Sequence, residues 1–351
     1  MPKSAEIFLS FISIVAFIGF LFYADSHFND YTLRIINLIA INAILAISLN
    51  LIYGFTGMLS LGHAGFIAIG AYTCAILLLS PEQKEIMWIL EPIAAPLHYM
   101  QLPFFAAVIV SGLCAAVVSL LIALPILRLG GDYLAIATLG FAEIIRIVIV
   151  NAASLTNGAL GVKGIPQSAT LWWNYGWLAF TIVFIVLLLR SNTGNVLCAI
   201  RDDEIAAKTM GINAFFYRIM SFTVGAFFAG VGGALMAALI SSIDPKMFNF
   251  LLTFNILMIV VAGGLGSITG SVIGSIVITI TLEWFRAIEN PIDLGFIHIP
   301  GVPGLRMVIF SLLLLAIILF WRKGLLGQRE FSWNGIYCFL TKRKILNKEK
   351  P

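Results

Sequence analysis

Charge is scarce in this 351-residue chain. Asp, Glu, Lys and Arg together make up 11% of it, against 60% hydrophobic residues. Soluble domains carry about 25% charged residues and about 45–50% apolar ones. A mean hydropathy of +1.02 points the same way, so a soluble globular protein is excluded. Cysteine is scarcer still. Cys74, Cys114, Cys198 and Cys338 form no C-x-x-C pair and stand beside no histidine cluster, so they read as small buried hydrophobes. The histidines at 27, 63, 98 and 298 are scattered, and no metal site is expected. Catalytic signatures are missing too. There is no G-x-x-x-x-G-K-[ST] phosphate-binding loop, no helical H-E-x-x-H and no G-x-S-x-G nucleophile turn. The chain reads as a non-enzyme without an ATP site of its own.

What the chain has instead is long apolar runs. A helix needs about 20 apolar residues to cross the hydrocarbon core. Runs of that kind fall at 7–23, 35–53, 62–79, 104–127, 133–150, 173–190, 215–241, 250–263, 268–286 and 304–321. The expected fold is all-α, a polytopic membrane protein of about ten transmembrane helices, some of them broken or re-entrant. Segment 250–263 is short and runs into glycines, so half a helix is a second reading for it. The first run, Ile7 to Tyr23, lacks a clean small-x-small cleavage site and is read as a retained helix rather than a signal peptide. No linker is long enough to hold a soluble domain. The expected division is a transmembrane permease domain over 1–327 and a basic cytoplasmic tail over 328–351.

Net charge is +4, and the stretch from Arg322 to Pro351 holds 8 basic and 2 acidic residues. Lys and Arg in short loops stay on the cytoplasmic side. Ten spans with the N-terminus inside put 14 basic residues in the cytoplasm and 6 outside; the flipped arrangement reverses the ratio. Both termini are therefore expected in the cytoplasm, with the tail toward the anionic leaflet and its lipid. No basic fold accompanies the tail, so nucleic acid is not an expected partner. The longer outer loops, 81–103 and 151–172, are rich in proline or glycine. They read as shaped loops, either a receiving surface for a partner or plain connections.

Four stretches carry information. In "CAIRDDEIAAKTMGIN", five charged residues fall between Arg201 and Lys208, inside an otherwise apolar region. Asp202 or Asp203 can cap a helix there. Glu204 suits its first turn, and Gly211 its end. The spacing predicts about two turns, either a solvated linker or a surface for another protein, with Ala206 and Ala207 keeping it low. In "GGLGSITGSVIG", Gly266, Gly270 and Gly274 fall four apart and are expected on one helix face, as are Gly225, Ala229, Gly233 and Ala237. Such faces bring helices into backbone contact, and a bend or moving interface near a pathway is the functional alternative to plain packing. "GFTGMLSLGHAGF" is glycine-rich between two apolar runs. Thr56, Gly57, Ser60, Gly62 and His63 are candidates for a translocation route or hinge, a short cytoplasmic turn being the other reading. Glu143 and Arg146 lie three apart within a span, as do Glu283 and Arg286 at an edge. A self-neutralising pair is the simplest account of each.

These stretches occur in one order: "LNLIYGFTGMLSLGHAGFIAIGAY", "RLGGDYLAIATLGFAEIIRIV", "RDDEIAAKTMGIN", "GGLGSITGSVIG" and "RKGLLG". Together, over residues 35–327, they resemble the LivM-type permease subunit of branched-chain amino-acid ABC importers. Lys323 stands where the family tail R-P-x-G-L-x-G has proline. The resemblance implies that the stretch with the pattern E-A-A-x-x-x-G docks on an ATPase. Glu204, Ala206, Ala207 and Gly211 fit that pattern, with Ile205 inserted, and Arg201 and Asp203 flank it. It further implies two ABC ATPase subunits carrying ATP and Mg, a second LivH-like permease, a periplasmic substrate-binding protein and a bacterial inner-membrane location. The cargo expected from it is leucine, isoleucine or valine. Urea or short amides are the alternative cargo, and an ion-coupled carrier or a channel the alternative class.

Overall fold

In a hydrocarbon environment every backbone N–H and C=O must be satisfied within the chain, which leaves helices as the route for an apolar run. The computed structural model describes residues 3–88, 91–129 and 131–286, and beyond them 292–293, 298–299, 304, 308, 311–312, 315, 324–327 and 330. The helices in chain order are α1 Lys3–His27, α2 Asp30–Asn50, α3 His63–Leu78, α4 Pro81–Met87, α5 Ala95–His98, α6 Phe104–Ile126, α7 Asp132–Asn151, α8 Ala153–Thr156, α9 Leu171–Arg190, α10 Asn192–Asp202, α11 Glu204–Thr209, α12 Ala214–Ile240, α13 Phe250–Gly263 and α14 Ile268–Arg286. A π-helical turn, Leu51–Phe55, extends α2. Short antiparallel pairs join β1 Val162–Lys163 to β2 Ser242–Ile243 and β3 Ile292–Asp293 to β4 His298–Ile299.

Among the described residues, seven helices are long and apolar enough to cross a membrane: α1, α2 with its π turn, α6, α7, α9, α12 and α14. α3 and α4 pass only as a pair bent by 117°. The bend has a local cause, since Ser80 and Gln83 form a capping box with Pro81 at the first position, which starts a new helix. α13 has 14 residues, so at 1.5 Å per residue it is roughly 21 Å long, short of the ~30 Å core. The run at 304–321 and the tail at 328–351 lie outside the described residues, apart from isolated positions. The expected all-α polytopic fold is present, with seven or eight such spans among the described residues rather than ten.

The core centres on α12, which packs on α6, α3 and α2; α2 in turn packs on α14 and α9. Small residues make this possible. A Cβ on Gly233 would overlap the Ile67 carbonyl of α3, and one on Gly230 would stand 2.6 Å from the Ala115 Cβ of α6. Gly225, Ala229, Gly233 and Ala237 are buried, as their four-residue spacing predicts.

The loops at 81–103 and 151–172 are knit, not slack. β1 pairs with β2, the Ala94 amide donates to the Ser154 carbonyl at 3.1 Å, and the Ile165 amide donates to the Ser241 carbonyl at 3.1 Å. Lys84 is fully buried, and its Nζ donates to the carbonyls of Leu97 and Met100 at 2.8 and 2.6 Å.

Candidate functional site

The stretch from Cys198 to Asn213 is two helices with a break at Asp203. Asp203 is extended, and its Oδ1 accepts from the amides of Ile205 and Ala206 at 2.8 and 3.0 Å, so of the two candidate caps it is this one that starts α11. α11 has six residues, roughly 9 Å at 1.5 Å each. Gly211 follows with φ +83° and open space where a Cβ would sit.

The charges do not face outward together. Glu204 accepts from both terminal nitrogens of Arg218 at 3.0 and 2.6 Å and pairs with Lys208 at 2.8 Å. Lys208 first, and then Arg218, hold its carboxyl below the ordinary glutamate range. Ala207 is buried with Ile200 and Ala214, tying α11 to its scaffold. Besides Lys208 and Thr209, α11 and its end turn two large apolar side chains outward: Ile205 is 77% and Met210 82% exposed. The sequence reading attended to the charges and missed these two residues. Their signal was present in the two large apolar residues that flank the charged turn, the start of a contact patch.

Arg201 belongs to α10, not to the helix of Glu204, and it turns the other way. Its Nη1 donates to the Gly54 carbonyl at 3.1 Å, and its Nε to Asp202 at 3.0 Å. Gly54 sits in the π turn that ends α2. A Cβ there would overlap Asn50 Oδ1 and the Gly266 amide nitrogen. That Gly266 amide donates to Asn50 Oδ1 at 2.9 Å, while Asn50 Nδ2 donates to the Ser267 carbonyl at 2.9 Å and to Ser271 Oγ at 2.8 Å. Three stretches far apart in sequence therefore meet at one junction: the α2 end, the α10 end, and the turn before α14. Asn50 is its hub, and sequence reading passed over it. An asparagine inside the apolar run 35–53, one of three there with Asn37 and Asn42, was the available signal.

Gly266 is not on a helix face with Gly270 and Gly274. It lies ahead of α14 with φ +79°, in a turn opened by Gly264 at φ +129°. Two successive glycines in conformations closed to other residues end α13 and reverse the chain. Gly270 and Gly274 do face α13, the first against Gly263 and the second against the Ile259 carbonyl, so α13 and α14 form a tight antiparallel hairpin. Its tip is capped from downstream. The Leu325 and Leu326 amides donate to the Ala262 and Gly263 carbonyls at 2.8 and 3.2 Å. The Glu330 carboxylate accepts from the Ile268 and Thr269 amides at 2.7 and 3.1 Å, where an anion suits a helix N-terminus.

Residues 57–62 run unwound from the exposed Gly57, φ +75°, back into the bundle. Thr56, Ser60, Gly62 and His63 are buried there. Thr56 Oγ1 lies 2.7 Å from Ser221 Oγ, His63 Nε2 lies 2.8 Å from Ser48 Oγ, and the Leu61 amide donates to Thr138 Oγ1 at 3.0 Å. This is irregular backbone enclosed by protein, and its burial is not that of a short solvated turn. His63 Nδ1 is buried without a partner among the described residues.

Glu143 and Arg146 form the expected pair, Nε to Oε1 at 2.9 Å, with side chains 48% and 28% exposed on the outward face of α7. Among the cavities that open on the described residues are two of comparable size. One, about 640 Å³, is an aromatic groove between α6, α9 and α12 that includes Trp173, Trp177 and Phe227. The other, about 550 Å³, lies at the start of α2. None of the sequence-nominated residues lines either.

A family described as branched-chain amino acid transport system / permease component matches residues 31–320. The LivM permease protein of the high-affinity branched-chain amino acid transport system of Escherichia coli (strain K12) is 33% identical over 289 residues, 73% of this chain and 64% of that protein. Its Salmonella typhimurium counterpart is 32% identical over 277 residues, 69% of this chain and 61% of that protein. The LivH permease protein of Escherichia coli (strain K12) is 24% identical over 282 residues, 74% of this chain and 85% of that protein. The matched region spans under two thirds of the length of the two LivM relatives. No solved structure matches the chain.

Proposed function

The chain belongs to the permease-component family of branched-chain amino acid transport systems, and from that premise we propose that it is the membrane-spanning subunit of an ATP-driven importer of leucine, isoleucine or valine. It is a multi-pass membrane protein; about ten crossings with both termini in the cytoplasm of a bacterial inner membrane complete the reading. Two ATPase subunits beneath it bind the ATP and Mg. A second, LivH-like permease lies alongside, and a periplasmic binding protein delivers the cargo.

The observation that carries this reading is the docking end. α11 is a short capped helix whose carboxylate is held by its own scaffold, and Ile205 on it and Met210 just beyond it are large apolar side chains turned outward. Two large apolar side chains held this far out by a helix fixed to its scaffold make a knob for a groove on another protein. Arg201 gives the knob a lever. A push on α10 and α11 reaches the Gly54 carbonyl, and through Asn50 it reaches the turn at Gly266. Movement of the ATPases would thereby tilt the α13–α14 hairpin against α2, a rigid-body switch through packed helices.

Met210→Asp and Ile205→Asp test this, because both side chains are largely exposed and their replacement leaves the chain's own packing intact. The expected result is at least a tenfold loss of ATP-driven leucine uptake at unchanged membrane levels. Undiminished uptake in both variants would refute the docking assignment.

A further inference from the structure

The outer end of α2 carries a stripe that neither the junction nor the docking helix uses. Asp30, Arg34 and Asn37 stand at i, i+4 and i+7, on one helix face. With Gln167, Leu33 and Leu239 they border a cavity of about 550 Å³ between α2, the loop before α9 and the last turn of α12. Arg34 is 20 residues from Gly54 along α2 and its π turn, roughly 30 Å at 1.5 Å per residue.

Three features of this cavity go together. Asp30 and Arg34 have opposite charge one turn apart, the spacing at which such side chains normally pair. Yet neither has an ion-pair partner among the described residues. Asn37 is only 7% exposed. Its Oδ1 accepts from Asn174 Nδ2 at 2.8 Å, which fixes the ring of contacts behind the wall, and its own amide donors have no partner among the described residues. The remaining wall is Tyr31 and Gln167 together with an aliphatic side from Leu33, Ala169 and the end of α12.

We propose that this cavity is a binding site for a zwitterionic α-amino acid with a compact apolar side chain. The carboxylate lies on Arg34 and the Asn37 amide, the ammonium on Asp30, and the side chain against Leu33 and Leu239. A zwitterion answers both charges at once. A neutral amide such as urea answers neither, and a simple amine or acid answers one and is repelled by the other. The site rests on the transport reading for why an amino acid should arrive at this end, and it places a station at the outer end of the helix whose inner end carries the junction.

The test is saturation-transfer difference NMR on the purified full chain with L-leucine, leucinamide and 4-methylpentanoate as probes. The last two lack the carboxylate and the ammonium respectively. The unaltered chain is expected to saturate leucine at least fivefold more strongly than either analogue. Arg34→Gln should bring leucine down to the leucinamide level, and Asp30→Asn should bring it down to that of 4-methylpentanoate. A variant that had merely misfolded would lower all three probes together. Equal saturation of the three probes by the unaltered chain overturns the proposal with no variant needed, as does leucine preference surviving both substitutions. The measurement requires no ATPase and no uptake, so its failure leaves the transport reading standing, and failure of the uptake experiment leaves this site standing.

Discussion

α12 and the α13–α14 hairpin carry the same sequence signal, small residues four apart, and use it in opposite ways. α12 is 27 residues of continuous helix. Its glycines let α3, α6 and α2 approach from three sides, and its small-residue face is buried over most of its length. The hairpin spends two glycines, 264 and 266, on positive φ and stops being helix between them. Its reversal is held by side chains from elsewhere, Asn50 from α2 and Glu330 from downstream. A helix that satisfies its own backbone is a fixed post. A turn whose amides depend on two distant side chains can be released when those side chains move. The lever from Arg201 ends at the second kind of element.

The largest expected effect that tests this contrast is at Gly233. Gly233→Leu drives a side chain into the Ile67 backbone, where neither helix can give. Overpacking of that kind costs about 1–3 kcal/mol and more against backbone. The chain should fail to accumulate in the membrane, as read by immunoblot and thermal melting. Normal accumulation would mean that α12 is not the fixed post. A middle effect is expected at Asn50. Asn50→Leu leaves the buried Gly266 amide unpaired, costing about 1–3 kcal/mol. That cost should appear locally: faster hydrogen exchange over 264–267 and impaired uptake, at unchanged membrane level. Uniformly faster exchange across α12 would erase the distinction between the two regions. The smallest effect belongs to Glu143 and Arg146, which touch neither region. Their pair is partly exposed, and pairs of that kind contribute about 0.2–1 kcal/mol. Reversing either residue should lower the melting temperature slightly, and reversing both should restore it. Absence of any rescue would mean that the pair answers to something other than itself.

Much of the junction was legible in pieces. Glycine-rich stretches between apolar runs announced Gly54 to Gly65 and Gly263 to Gly274, and the capped charged stretch announced α11. Their meeting was not legible, because nothing in local spacing says that Gly54 and Gly266 approach until Asn50 is placed between them. The face assigned to Gly266 failed for a related reason. A four-residue interval implies a shared face only while the chain stays helical, and Gly264 ends that condition. Asp203 as cap could be expected from residue type, but the choice between it and Asp202 depended on where α10 ran out.

What the sequence determined by itself is the environment and the kind of element. Eleven per cent charge and runs of about 20 apolar residues demand a lipid solvent and helices within it, and the order of its motifs marks its family. What only the tertiary structure decided is which way each polar group turns. Glu204 turns inward to Arg218, Arg201 turns to Gly54, and Asp30 and Arg34 face a cavity in place of each other. Composition sets the cost of burying a polar group anywhere in such a chain, but a hydrogen bond needs its partner within about 3 Å. Only the packed fold brings residues hundreds of positions apart to that distance.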